Sequence, residues 1–109
     1  MPHTHTVFLT QGAMDDLEAI HDYIFLHDSP GKADYVIGKI ENTFGKLTLF
    51  PERGAYPPEL LEVGVREYRE VFFKPYRIIY RIQYDRVYIM VIADGRRDLQ
   101  TLLLRRLLK

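Results

Sequence analysis

Three segments rich in β-branched and aromatic residues follow one another in the second half of the chain, with only short joints between them. They are VREYREVFF (65–73), YRIIYRIQY (76–84) and VYIMVIA (87–93). Such residues fit a pleated, half-buried surface, and joints as short as KP and DR form hairpin turns. The segments therefore predict an antiparallel β-meander, around which the rest of the chain must pack.

The middle strand of this meander is predicted to have two different faces, because side chains alternate along a strand. The apolar face carries Ile78, Tyr80 and Ile82. The other face is mixed and partly basic, and it carries Arg77, Ile79, Arg81 and Gln83. We expect the apolar face to be the core side of the sheet.

Two amphipathic helices precede the meander and are predicted to cover its apolar face. Thr10 offers an N-cap for a helix that extends to about His27. Ser29 as a cap and Pro30 at the first helical position begin a second helix. So short a turn between two helices indicates an antiparallel hairpin. The apolar stripe of the second helix is predicted to hold Ala33, Ile37, Ile40, Phe44 and Leu47.

The last segment, DLQTLLLRRLLK (98–109), predicts a helix with Asp98 near its start. Its leucines spread over about two thirds of the helical circumference, whereas a surface helix needs a narrower apolar face. The helix is therefore either deeply packed or in contact with a partner. With a short strand at residues 6–9 and a long surface loop at 51–64, where prolines and glycines cluster, the chain predicts one α+β domain over residues 1–109.

Charge and composition exclude several classes of protein. Lys plus Arg and Asp plus Glu both number 15, and this balance argues against a protein that grips a phosphate backbone or binds DNA sequence-specifically. The chain has no cysteine, which excludes disulfides and thiolate metal sites. No apolar stretch approaches the ~20 residues that span a bilayer, and the N-terminus has no signal-peptide pattern. We therefore expect a cytoplasmic protein with no membrane partner.

His3 and His5 alternate in the manner of two metal ligands on a strand. No third ligand accompanies them, and a frayed N-terminus explains them better. Neither a metal nor a cofactor is expected.

Four motifs occur in order along nearly the whole chain. They are DLEAIHDYI (16–24), LFPERG (49–54), REYRE followed by YRIIYRI (66–82), and VIADGRRD (91–98). Together with the order of elements, they resemble the RelE/ParE superfamily of bacterial toxins, often labelled plasmid stabilisation proteins. The resemblance implies a compact α+β fold with an N-terminal helix hairpin, a neutralising antitoxin usually encoded beside the toxin, and one of two targets. RelE-type members cut messenger RNA on the ribosome, and ParE-type members poison DNA gyrase.

Three arginines are the candidate catalytic or target-contacting residues. By the resemblance, Arg77 matches the arginine of the family's YR strand, Arg97 the one after the strand-ending glycine, and Arg69 approximately a basic position on the preceding strand. RNA cleavage needs stabilised phosphate charge, and the planar guanidinium makes paired, charge-assisted bonds to phosphate. We expect Arg77 and Arg97 to be partly exposed and to matter more for function than for folding.

A purely structural interpretation of the arginines stands beside the catalytic one. In it, Arg69, Arg77 and Arg81 form the solvated face of the meander. They then pair across strands with acidic residues. The acidic residues available for this are Glu67, Glu70 and Asp85.

The resemblance is weaker at the positions of the proton-transfer groups than at the arginines. RNA-cutting relatives often carry a His at the end of the last strand or a Tyr in the final helix, and this chain has Asp94 and Leu103 there. An aspartate with an ordinary pKa is ionised at neutral pH and is a poor acid, and leucine cannot transfer a proton. Asp94 is better explained as a partner of Arg96 or Arg97.

The resemblance, with the residues that match or depart from it, leaves three functions open. A toxin that binds and inhibits DNA gyrase is favoured, the alternative is a ribosome-dependent endoribonuclease that cuts mRNA, and the third possibility is a non-toxic relative that acts as a binding module. The over-wide apolar arc of the last helix predicts an antitoxin-binding surface, because exposed apolar patches usually mark interaction sites. Its residues are Leu99, Leu102, Leu103, Leu104, Leu107 and Leu108.

Overall fold

The computed structural model describes residues 4–108, which form four strands and four α-helices. Two short 3-10 turns, Lys46–Thr48 and Pro51–Arg53, lie between the second and third helices. The elements are β1 (Thr6–Leu9), α1 (Gln11–His27), α2 (Pro30–Gly45), α3 (Pro58–Leu61), β2 (Arg69–Phe73), β3 (Tyr76–Gln83), β4 (Arg86–Asp94) and α4 (Leu99–Leu107). Within residues 4–108, none of the helices combines the length and the apolar character that spanning a bilayer requires.

Side-chain caps set the starts of the first two helices. The hydroxyl of Thr10 accepts a hydrogen bond from the amide of Ala13, and the hydroxyl of Ser29 accepts one from the amide of Lys32. Each cap satisfies an amide that has no partner within its helix. Pro30 occupies the first turn of α2. The predicted N-caps are therefore confirmed.

The four strands form one sheet in the order β1-β4-β3-β2. β2, β3 and β4 are antiparallel neighbours, and β1 adds to β4 in parallel. Short hairpin turns at residues 74–75 and 84–85 join the three antiparallel strands. The predicted meander is confirmed, and the α+β fold with it.

The first strand of the meander is shorter than predicted. β2 begins at Arg69, not at Val65. The amide of Val65 donates to the carbonyl of Leu60, and Tyr68 is buried beside α3. Residues 65–68 therefore pack against the preceding segment and do not extend the pairing with β3.

Both faces of the sheet are covered, which corrects the expectation of one core face and one mixed, solvated face. The helix hairpin α1–α2 packs on the face that holds Ile78 and Tyr80. A second core forms on the opposite face, where Ile79 and Val91 meet α3 and α4. A register irregularity between Ile79 and Tyr80 leaves three consecutive residues of β3 buried.

The segment 51–64 is not the surface loop that its prolines and glycines predict. Pro57 and Leu60 are fully buried, and the hydroxyl of Tyr80 donates to the carbonyl of Pro51. The Tyr80 hydroxyl also accepts from the amide of Gly54 at 3.1 Å. A Cβ at position 54 would lie 2.5 Å from that hydroxyl, so only glycine allows so close an approach. In α2, Val36 is buried in place of the predicted Ile37.

Helix α4 packs deeply on the second face of the sheet. Its N-cap is Asp98, as the sequence predicts. Leu99, Leu102 and Leu103 are buried in the second core, and Leu107 packs against it. The wide apolar arc is therefore explained largely by packing within the domain.

Candidate functional site

The three candidate arginines do not converge on one cavity. Arg69 lines a cavity of about 290 Å³ near the start of β2. Arg97 lines a separate cavity of about 360 Å³ between α1 and the end of β4. Arg77 lies in the sheet and lines neither of them. A shared phosphate-binding cluster of these three side chains is not formed.

Arg77 is held by two carboxylates in a partly buried ion-pair network. Its Nε donates to Glu70 at 2.7 Å, and its two terminal nitrogens donate to Glu59 at 2.6 and 2.7 Å. The Arg77 side chain is only 12% exposed. Arg77 therefore keeps only a small exposed fraction, and the cross-strand pairing with Glu70 that the structural interpretation allowed is found.

The two carboxylates of this network titrate differently. The hydrogen bond from Arg77 lowers the pKa of Glu59. Burial raises the pKa of Glu70, although Arg77 acts against the rise. The same hydrogen bonds raise the pKa of Arg77 further above its ordinary value. The guanidinium charge is permanent and is already balanced within the domain.

Asp94 is paired with Arg96, as the sequence predicts. Arg96 donates from Nη2 to one carboxylate oxygen at 2.6 Å and from Nε to the other at 2.9 Å. The backbone amide of Arg96 also donates to Asp94. These hydrogen bonds lower the pKa of Asp94, which therefore stays ionised at neutral pH and cannot serve as an acid.

Leu103 cannot take part in proton transfer and also lies away from any surface. It is fully buried, with Ile79 and Val91 in the same core. A ligand on the outside of the domain would not touch this position. The second family position for a proton-transfer group is therefore occupied by a core residue.

The predicted antitoxin surface on α4 is corrected by the packing of its leucines. Leu99, Leu102 and Leu103 are buried in the domain's own core, so they are not available to a partner. Leu104 and Leu107 are half-buried, and Leu108 is 38% exposed. Apolar surface on this helix is therefore exposed to solvent mainly at its C-terminal end.

A partly buried ion pair between Arg106 and Asp16, which sequence reasoning missed, joins α4 to α1. Arg106 donates to both carboxylate oxygens of Asp16, at 3.1 and 3.2 Å, and to the carbonyl of Met90 at 3.0 Å. The same carboxylate accepts from the amide of Ile92 in β4 at 2.9 Å. Asp16 and Arg106 are 90 residues apart, and no local sequence signal joins them.

A groove of mixed polarity at the tip of the helix hairpin was also missed. The 360 Å³ cavity and a neighbouring one of about 450 Å³ share Tyr23, Ile24, Tyr76 and Arg96, and we call this joint depression the hairpin groove. Tyr23 is 66% exposed, and the nearby Leu26 of α1 is 76% exposed. Large apolar side chains this exposed are a signal of an interaction surface, and α4 offers none as exposed as these two.

No three His, Cys, Asp or Glu side chains of residues 4–108 lie together as the ligands of a metal would. His3, one of the two alternating histidines, lies outside the described residues.

A family model and a relative of known name are both ParE toxins. The family model described as the ParE toxin of the type II toxin-antitoxin system, parDE, matches residues 7–99. The toxin ParE3 of Caulobacter vibrioides is 28% identical over 93 residues, which cover 85% of this chain and 89% of that protein.

Two solved structures share the fold. A chain of the chromosomal ParDE toxin–antitoxin system of P. aeruginosa superposes with a TM-score of 0.71 at 23% identity, covering 84% of this chain and 97% of that one. A chain of the RelBE2 toxin–antitoxin complex of Mycobacterium tuberculosis gives a TM-score of 0.57 at 24% identity, with 84% and 98% covered.

Proposed function

The chain belongs to the ParE toxin family of type II toxin–antitoxin systems, and from this premise we propose that it inhibits DNA gyrase by binding it. The observation that carries the proposal is the state of the two positions where RNA-cutting relatives have proton-transfer groups. Asp94 is ion-paired with Arg96 and its pKa is lowered, so it stays charged, and Leu103 is a core residue. A site without a general acid and a general base could at best position the substrate and stabilise charge in the transition state.

The state of Arg77 supports the same proposal. The phosphate group at an RNA cleavage site would need a cation that has no other partner. The Arg77 guanidinium is already ion-paired with Glu59 and Glu70. Taking it from those carboxylates would leave Glu70, 3% exposed, as an unpaired buried charge. The net charge of zero also argues against a ribosomal target, because ribosomal RNA binds cationic proteins preferentially.

A cognate antitoxin is the second proposed partner. We place its contact in the hairpin groove, whose lining includes Tyr23, Tyr76, Arg96 and Arg97. An amphipathic helix of a segment that is disordered alone is the kind of ligand that such a groove accepts. Because both proposed partners are proteins of the cytoplasm, we also propose that the toxin acts there.

The experiment pairs a gyrase supercoiling assay with a translation assay followed by primer extension. Both use toxin freshly separated from its antitoxin. We expect supercoiling to be inhibited and messenger RNA to stay intact. The matched variants are Arg97→Ala and Arg105→Ala, because both arginines are exposed and lack an ion pair among the described residues.

Codon-positioned cuts that vanish in Arg97→Ala would overturn the proposal in favour of the endoribonuclease. Inactivity in both assays, with the antitoxin still bound tightly, would favour the non-toxic binding module.

A further inference from the structure

A second candidate binding site lies toward the other end of β3 from the hairpin groove. It is the cavity of about 290 Å³ that Arg69 lines. Three of its lining residues are arginines, and we call it the arginine pocket. Its lining consists of Tyr56, Arg66, Glu67, Arg69, Arg81 and Ile82.

Arg69 is fixed in this pocket by neutral groups alone. It donates to the carbonyl of Gly54 at 2.9 Å and to the hydroxyl of Tyr56 at 3.2 Å. Its guanidinium carbon also lies 4.6 Å from the centre of the Tyr56 ring. These partners hold the side chain in place but leave its positive charge unbalanced.

The support for Arg69 is built into the fold. The Tyr80 hydroxyl holds the backbone at Gly54, and Gly54 and Glu52 present their carbonyls to Arg69. The guanidinium is therefore preorganised, and a ligand would not bear the full cost of ordering it.

The charge of the pocket differs from that at the three ion-paired arginines of the structure. Arg77, Arg96 and Arg106 each have a carboxylate partner within 3.1 Å. Among residues 4–108, none of the ion pairs involves Arg66, Arg69 or Arg81. One carboxylate, Glu67, lines the pocket beside three guanidinium groups, so the cavity attracts an anion.

We propose that the arginine pocket binds a carboxylate side chain from an acidic segment of a protein partner. Guanidinium groups bind carboxylates in paired, charge-assisted hydrogen bonds. Glu67 opposes a dianionic phosphate more strongly than a single carboxylate, and Ile82 offers contact to the methylene groups of a Glu. The zero net charge of the chain also disfavours a nucleic-acid backbone. The inference rests on the proposed function in one respect, that the partner is a protein.

The test is an NMR titration of the isotope-labelled full chain with an acetylated hexaglutamate peptide, without gyrase or antitoxin. We expect the Nε–Hε signals of the pocket arginines to shift. Arg81→Gln should weaken binding about tenfold, the effect of one charge-assisted hydrogen bond. Arg105→Gln on α4 is the matched control and should bind as the parent does. Neither arginine is in any ion pair of the described part of the chain, and Arg105 is exposed, so neither change should unfold the domain.

Three results would overturn the inference. The first is no shift of the pocket signals at millimolar peptide. The second is an equal loss of binding in Arg81→Gln and Arg105→Gln, which would indicate diffuse charge attraction. The third is tighter binding of hexauridylate through the same signals, which would assign the pocket to nucleic acid. Because the titration contains no gyrase, its failure is distinguishable from failure of the proposed function.

Discussion

Arg77 and Glu70 are joined across neighbouring strands by a hydrogen bond of 2.7 Å between the arginine Nε and a carboxylate oxygen. The Glu70 side chain is 3% exposed, so its charge depends on that partner. An arginine that the family resemblance assigns to RNA chemistry is thereby paired with carboxylates of its own domain.

Replacing Arg77 with Met is expected to destabilise the domain by about 3–5 kcal/mol, because it leaves Glu70 buried without a partner. Urea unfolding monitored by circular dichroism measures the change. The double variant Arg77→Met, Glu70→Leu should recover most of the loss, since the buried charge is gone. If Arg77→Met melts like the parent, the network has no structural role.

The stability of the domain should depend on pH through Glu59. Its folded pKa lies below the ordinary value of 4.5, so its contribution is present above that value and is lost as pH falls through the lowered one. Glu70 acts in the opposite direction, because its raised pKa makes protonation favour the folded state. We expect Glu59→Gln to lose less stability than the parent between neutral pH and about pH 3.

The control for this pH experiment is Glu62→Gln, a change at an exposed neighbour. It should follow the parent protein over the whole range. An unchanged pH dependence in Glu59→Gln would contradict the assignment.

Leu103→Ala should cost about 2–5 kcal/mol, because it opens a cavity in the second core. Leu108→Ala, at the exposed end of the same helix, should stay within about 0.5 kcal/mol. Thermal unfolding of both variants checks this.

Removal of residues 102–109 would take away Leu102 and Leu103 together. Loss of antitoxin capture in that truncation would therefore reflect a damaged fold.

Arg106→Ala is expected to loosen the docking of α4 and to cost about 1–3 kcal/mol, because Asp16 loses a charged hydrogen-bond partner. Hydrogen exchange of the α4 amides should become faster than in the parent. Arg105→Ala removes an exposed arginine from the same helix and should leave the exchange unchanged. Equal exchange in the two variants would show that the Asp16 contact does not hold the helix.

Arg97→Ala should relieve growth inhibition without a change in melting temperature beyond about a few degrees. The Arg97 side chain is exposed and lines the cavity at the end of β4. Growth curves under induced expression, with calorimetry of the purified variant, test both parts. A large loss of stability would show that Arg97 has a structural role. Unchanged toxicity would show that Arg97 does not contact the target.

Local features of this protein follow from the sequence by itself. Thr10 and Ser29 cap the helices because an N-cap acts on an amide three residues away. Two-residue joints define the hairpins, and Asp94 meets Arg96 because a turn brings near neighbours together. The motifs, read in order, also pointed to the superfamily.

Only the tertiary structure decided which surfaces cover one another. Hydrophobic periodicity shows that α4 has a wide apolar arc, but it cannot tell a core from a partner, since both bury the same side chains. The partners of Arg77 lie 7 and 18 residues away, and Asp16 lies 90 residues from Arg106. Contacts at such separations arise when whole elements pack. Side-chain charge limits the possible partners of an arginine, and the packing of the sheet against its two helical layers selects among them.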